Sequence, residues 1–195
     1  MYYPAFLNLK NKLVVLFGGV HVALRKARVL VRSGANLKVL SRDFSPAFLA
    51  FAKRNRIQIR RGSRLPSSIR GISLVVCATS DPDFNRRIYE RCVRSGLFVN
   101  VVDDPKHSTF LVPSVMRRGL LQIAVSTGGA SPLLAKLIRK KLEEEFGSEY
   151  RALLRSLHLD RERSKRLIRL GRKRRNHFQK LVGSKLKLLE ARRFR

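Results

Sequence analysis

The sequence has few cysteines, few acidic residues and no long apolar run. Its two cysteines, Cys77 and Cys92, lie in a strand-like and a helix-like apolar run. They read as buried thiols of a reducing cytosol. No CxxC and no paired His/Cys spacing occurs, which argues against a structural zinc site. No apolar stretch reaches the roughly 18 residues that cross a bilayer. The opening Met1-Tyr2-Tyr3-Pro4-Ala5-Phe6 lacks a basic lead before an apolar core, so no secretory signal is expected. A cytoplasmic protein without a membrane partner is the expectation.

The shortage of acid is the compositional anomaly. Thirteen Asp and Glu face 43 Lys and Arg, a formal charge of +30. Such a surplus points to an anionic partner: nucleic acid, anionic lipid, or a polycarboxylate or phosphate ligand. It also fits a compositional habit of the source, because it is spread along the whole chain. Residues 1–112 hold 20 basic and six acidic side chains, and residues 148–195 hold 17 and four. Nucleic acid is the less favoured partner. The basic residues are not interleaved with aromatics, and no DNA- or RNA-reading motif occurs.

What is present is enough for one full domain and a smaller second element. The chain has 195 residues, 44% of them hydrophobic. Leu13-Val14-Val15-Leu16-Phe17 is wholly apolar, as a parallel strand covered on both faces would be. Gly18-Gly19 breaks it, and helical spacing follows from His21 to Arg32, stopped by Ser33-Gly34. Further strands are expected at 37–40, 57–59, 72–78 and 97–102, with helices at 46–55 and from Pro82 to Arg94. A polar loop is expected at 62–71. Five strands alternating with helices predict a doubly wound parallel α/β sheet. After Pro113 the spacing changes. Runs at 110–116 and 121–126 read as a hairpin, and Gly128-Gly129-Ala130-Ser131-Pro132 leads into a helix from Leu133 to Phe146. From Ser148 onward the pattern is helical and basic, densest at Arg172-Lys173-Arg174-Arg175, with the last residues expected to fray.

The first glycine turn carries the dinucleotide pattern G-x-G-x-x-G/A incompletely. It runs Gly18-Gly19-Val20-His21-Val22-Ala23, with valine where the middle glycine would sit. At the end of the second strand, Asp43 suits the ribose hydroxyl of NAD, whereas Arg42 leaves a 2′-phosphate open. The fifth strand delivers Asp103, Asp104, Pro105, Lys106 and His107 to the carboxyl edge of the sheet, where ligands bind in such folds. Adjacent carboxylates tend to raise one pKa, which suits a general base. Capping of a turn before Pro105 explains the same two residues.

The ordered set of segments resembles the precorrin-2 dehydrogenase and sirohydrochlorin ferrochelatase family, the N-terminal module of siroheme synthases. The resembling stretches are Tyr3-Pro4 with Phe6-Leu7, Gly18-Gly19, Val22-Ala23, Arg25-Lys26-Ala27 and 30–35. They continue with Ala78-Thr79-Ser80-Asp81, Asn85, Asn100-Val101-Val102-Asp103, Pro105-Lys106, Phe110, Pro113-Ser114 and 124–132. The resemblance implies a Rossmann-like NAD-binding domain (1–112), a small α+β dimerisation element (113–147) and a basic helical C-terminal region (148–195). It implies oxidation of precorrin-2 to sirohydrochlorin with NAD, followed in some members by insertion of ferrous iron, in a homodimer.

Carried over residue by residue, the resemblance assigns Asp103 as the catalytic base and a participant in chelation. Gly18, Gly19, His21, Val22, Arg42 and Asp43 become cofactor contacts, and Ser126 and Thr127 substrate contacts. His107, where small or apolar residues are usual, is a candidate metal ligand beside Asp103. The family usually has three glycines where this chain has Gly18-Gly19-Val20, so a tetrapyrrole-binding homologue without NAD is one alternative. A nucleic-acid-binding protein on the same scaffold is another. The tetrapyrrole substrate carries carboxylates that a basic cleft would steer.

Overall fold

The computed structural model describes residues 2–62, 69–169 and 171–193. The expected 62–71 loop and the chain end therefore fall partly outside the described residues. The chain divides into two compact units, Met1–Val112 and Pro113–Arg195.

In the first unit, five parallel strands take the order β3-β2-β1-β4-β5: β1 (Leu13–Phe17), β2 (Asn36–Ser41), β3 (Gln58–Arg61), β4 (Ile72–Cys77) and β5 (Phe98–Val101). The wholly apolar β1 takes the central place, paired with β2 and β4. Its pleat sends Val14 and Leu16 to one face and Val15 and Phe17 to the other. The first face meets Ala23, Ala27 and Leu30 of α1 (His21–Arg32) and Phe48 of α2 (Pro46–Arg54). The second meets Phe84, Ile88 and Cys92 of α3 (Pro82–Arg94). Phe17 stands edge-on to Phe84 with ring centroids 5.2 Å apart. Both cysteines are buried free thiols. Burial pushes the Cys92 thiol up to about 11 and the Cys77 thiol higher still. Neither is a nucleophile near neutral pH.

The third strand starts one residue later than its apolar signal and ends two residues later. Every residue of Gln58–Arg61 is exposed, because β3 is a sheet edge and hydrophobic patterning has little hold there.

Helices α1, α2 and α3 end alike. In each, the second residue past the last helical one adopts a left-handed conformation: Gly34 (φ 77°), Arg56 (φ 51°) and Gly96 (φ 66°). Paired backbone bonds close each end, as with Ile57 N–H to Ala52 C=O at 2.9 Å and Arg56 N–H to Lys53 C=O at 3.3 Å. That is the Schellman arrangement, which favours glycine. Arg56 carries a Cβ where its counterparts carry none. Replacing Arg56 by glycine is expected to stabilise the protein by about 0.5–1 kcal/mol. A rise in melting temperature without a change in the slope of denaturant unfolding would verify it.

The second unit opens with the hairpin β6 (Ser114–Arg118) and β7 (Leu121–Val125). Gly119 and Leu120 form the turn; β6 begins four residues later than its apolar run and ends two residues later, and β7 ends one residue earlier than its run. Helix α4 (Pro132–Glu145) packs on it, and α5 (Glu149–Leu167) and α6 (Gly171–Arg193) follow. Arg118 fastens hairpin to helix: its guanidinium donates to the carbonyls of Glu143 and Phe146, both at 2.9 Å. Those carbonyls lie at the α4 C-terminus, where no intrahelical partner exists. Among the described residues no helix is long and apolar enough to cross a membrane.

Candidate functional site

The strand order reverses between β1 and β4. A cleft of about 440 Å³ opens there, at the carboxyl ends of the strands. Such a switch point is where ligands bind in open parallel sheets. Gly18, Gly19, Val20 and Val22 form one wall, Arg42 and Asp43 another, and Thr79, Ser80 and Asp81 a third, with Val102 and Asp103 beyond them.

The glycine turn is tight for a physical reason. Gly18 has φ 115°, and a Cβ there would lie 2.4 Å from the Ala78 carbonyl oxygen. A Cβ on Gly19 would lie 2.2 Å from the Asp43 carbonyl oxygen and 2.7 Å from the Phe44 ring. Glycine at 18 and 19 therefore lets β1 pass between the β2 and β4 loops. Val20 stands differently. It precedes α1 in an extended conformation, φ −113° and ψ −163°, that a β-branched residue adopts freely. Its side chain is 48% exposed. Valine thus enters the turn without strain; what it changes is the shape of the cleft wall.

Helix α1 begins with no side-chain cap and no acidic residue in its first turn. Its leading N–H groups and positive dipole end are left for an anion. A dinucleotide pyrophosphate fits that requirement, and Asp43 at the end of β2 fits the adenosine ribose. Arg42 turns its guanidinium toward Asp81, 3.7 Å away, in a pair that is largely exposed. His21 is exposed at the start of α1 and is not among the residues lining the cleft.

The loop after β4 contributes to the cleft, and its pattern predicted only a helix start. Asp81 caps α3 by accepting from Phe84 N–H at 2.9 Å. The buried Asn85 locks the loop, accepting from the Thr79 hydroxyl at 2.7 Å and donating to the Thr79 carbonyl at 3.1 Å. Capping chemistry masked the ligand-facing role, because Ser, Thr and Asp serve both.

Asp103 lines the cleft with φ 63°, left-handed backbone that carboxylate and amide residues tolerate best. The turn is held from behind by Ser108, which is buried. Its hydroxyl accepts from Val101 N–H at 2.9 Å and donates to the Asp104 carbonyl at 2.8 Å. Asn100 amide Nδ2 donates to the Phe110 carbonyl at 3.1 Å. These bonds over-determine the turn and keep Asp103 at the sheet edge. Half-buried Lys26 on α1 feels the same carboxylate. Burial, then Arg25, lowers its pKa below the usual lysine value, while Asp103 pulls the other way.

Asp104 takes a different part. It caps the short 3-10 turn Pro105–His107 and binds His107 Nδ1 at 2.6 Å. That bond holds its carboxyl below the usual range. His107 is packed edge-on against Tyr89, centroids 5.3 Å apart, and engages Asp104 rather than Asp103. Among the described residues no group of three or more His, Cys, Asp and Glu could hold a metal.

Ser126 and Thr127 belong to the second unit. Ser126 Oγ accepts from Gly128 N–H at 3.2 Å and Thr127 Oγ1 from Ser131 N–H at 3.0 Å. Both hydroxyls therefore shape the turn into α4.

Glycine turn, open helix N-terminus and acidic residue at the end of β2 together define a Rossmann-type nucleotide-binding domain. The model of a family described as NAD(P)-binding matches residues 5–114, and that of the sirohaem biosynthesis protein central domain matches residues 118–145. The chain belongs to this NAD(P)-binding family. It is 38% identical over 183 residues to siroheme synthase 3 of Aeromonas hydrophila, covering 94% of this chain and 39% of that protein. Siroheme synthase 2 of Aeromonas salmonicida is 44% identical over 142 residues, covering 73% and 29%. Siroheme synthase 2 of Yersinia pestis bv. Antiqua is 35% identical over 181 residues, covering 93% and 38%. The chain thus spans under two-fifths of these relatives' length. The solved structure of SirC, a precorrin-2 dehydrogenase, shares the fold at a TM-score of 0.79 and 24% identity, over 99% of this chain and 96% of that one.

Proposed function

We propose that the protein is a cytoplasmic, NAD-dependent dehydrogenase that converts precorrin-2 to sirohydrochlorin. The observation that carries this is the placement of Asp103, whose left-handed turn sets a carboxylate at the same cleft as the glycine turn. Gly18, Gly19 and Val22 would hold the pyrophosphate region and Asp43 the ribose, with His21 at the first turn of α1. NAD supplies a hydride acceptor. Oxidation removes a hydride and a proton from the substrate, and the Asp103 carboxylate takes the proton. Ser126 and Thr127 accept their bonds through oxygen, which leaves each O–H proton to donate to a substrate carboxylate.

Ferrous iron insertion is the second step open to this site. Iron would pass as substrate by way of Asp103, with His107 engaged by Asp104 instead. A homodimer is supported by α4, where Leu133, Leu134, Leu137 and Ile138 are all exposed. An apolar stripe of that kind marks an interface. Under this proposal, residues 1–112 bind NAD, residues 113–147 join the two copies, and residues 148–195 form the basic helical region.

Asp43 and Arg42 both line the cleft, and NAD is favoured over NADP because the Asp43 carboxylate suits a ribose hydroxyl and would repel a 2′-phosphate, while Arg42 is turned toward Asp81. Calorimetric titration is expected to show NAD binding about tenfold tighter than NADP, about 1.4 kcal/mol. Equal affinity, or a preference for NADP, would overturn the cofactor choice.

A further inference from the structure

We infer that the α5–α6 hairpin carries a second binding site, for a compact polyanion presenting several phosphate or carboxylate groups. A cavity of about 480 Å³ lies between the two helices. Arg161 and Lys165 of α5 and Arg174 and Arg175 of α6 line it, with Phe178 and the buried Ser164. Among the described residues no carboxylate lines it. The spacing makes this a built arrangement. Arg161 and Lys165 are one helical turn apart on one face, and Arg174 and Phe178 on the other.

Four cations around one cavity repel one another unless something neutralises them. The same hairpin shows how this chain neutralises charge when the fold requires it. Lys185 is paired with Asp160 across the two helices, with the Ser156 hydroxyl as a further partner. At the cavity, Glu162 lies 2.7 Å from the Lys165 ammonium in an exposed pair, and Arg174 donates to the neutral Ile168 carbonyl at 3.4 Å. The positive charge is compounded by the start of α6. Arg172, Lys173, Arg174 and Arg175 occupy the first turn after Gly171, which holds no acidic residue. Cations there oppose the helix dipole, and a bound anion reverses that penalty.

The shape and chemistry select the ligand class. Guanidinium forks bind phosphate and carboxylate bidentately, and three of the four cations are arginine. A cavity of hundreds of cubic ångströms suits one small molecule with several anionic groups. Phe178 supplies an apolar wall for its body.

The test is calorimetric titration of the full chain at about 150 mM salt with two probes, inorganic tripolyphosphate and the octacarboxylate uroporphyrin. Saturable binding of tripolyphosphate at one site per chain is expected; uroporphyrin, which the substrate site of the dehydrogenase proposal would also take, counts for the hairpin only in the part of its binding that the hairpin variants remove. Which probe binds tells phosphate from carboxylate as the source of the ligand's charge. The Arg174→Gln/Arg175→Gln variant is expected to weaken binding about tenfold or more, and Arg161→Gln/Lys165→Gln to reproduce the loss from the facing helix. Lys10→Gln/Lys12→Gln, exposed in the first unit, removes equal charge and should leave it unchanged. Unaltered NAD affinity in the α6 variant separates this site from the dehydrogenase proposal. The proposal is overturned by no saturable binding of either probe, or by an equal loss in the Lys10/Lys12 variant. Preferred binding of a single-stranded RNA at several overlapping sites would also overturn it.

Discussion

Replacing Gly18 by alanine is expected to cost about 2–4 kcal/mol of stability and to abolish measurable NAD binding. Two penalties coincide at this residue. The backbone at φ 115° lies where side chains are strained, and the new Cβ would meet the Ala78 carbonyl oxygen at 2.4 Å. That carbonyl belongs to the loop leading into α3, which Asn85 locks through Thr79. The loop has little freedom to withdraw, so β1 and β4 must separate at their carboxyl ends. Since the cleft is bounded by those ends, fold and ligand affinity fall together. Thermal unfolding and NAD titration of the same variant check both halves. A variant of unchanged melting temperature that still binds NAD would show that the turn is looser than described.

Replacing Asp103 by asparagine is expected to lower turnover of precorrin-2 by about 10²–10⁴-fold, the range for loss of a positioned general base. NAD affinity and melting temperature should stay unchanged. Asparagine keeps the shape and tolerates the left-handed backbone at φ 63°, so the Ser108 bonds remain. Alanine at the same position would mix two effects, because it also strains the turn. Lys26 gives a second readout. Its ammonium loses the Asp103 charge that raises its pKa, so that pKa should fall further in the variant. Wild-type turnover in the asparagine variant would remove Asp103 from the chemistry.

Much of the first unit was legible because its strands are buried on both faces. Leu13–Phe17 and Ile72–Cys77 advertise themselves as apolar runs, and Ser45, Asp81 and Ser131 each precede a proline-led helix they cap. The edge strand Gln58–Arg61 hid because exposure erases the pattern. The glycine turn was legible in part. Sequence alone made Val20 a defect in the fingerprint, whereas its extended backbone makes valine admissible. The conformation of Asp103 was beyond local reading, since the bonds that set it come from Asn100 and Ser108 on either side of a turn. Similarly, His107 pairs with Asp104 through a cap whose closure depends on Pro105. Sequence alone makes His107 a surface loop histidine or a metal ligand beside Asp103, with no sign of the Asp104 pair.

The charge has also become more specific. A surplus of +30 said only that anions matter. The cavity between α5 and α6 concentrates four of those cations on one small volume, separate from the cleft that the dehydrogenase proposal uses.

The most direct test of the account is a reaction of the purified chain with precorrin-2 and NAD, following NADH absorbance and the sirohydrochlorin spectrum together. The account predicts equimolar NADH and sirohydrochlorin, with both signals lost in the Asp103→Asn variant. Tetrapyrrole bound without NADH formation would contradict it.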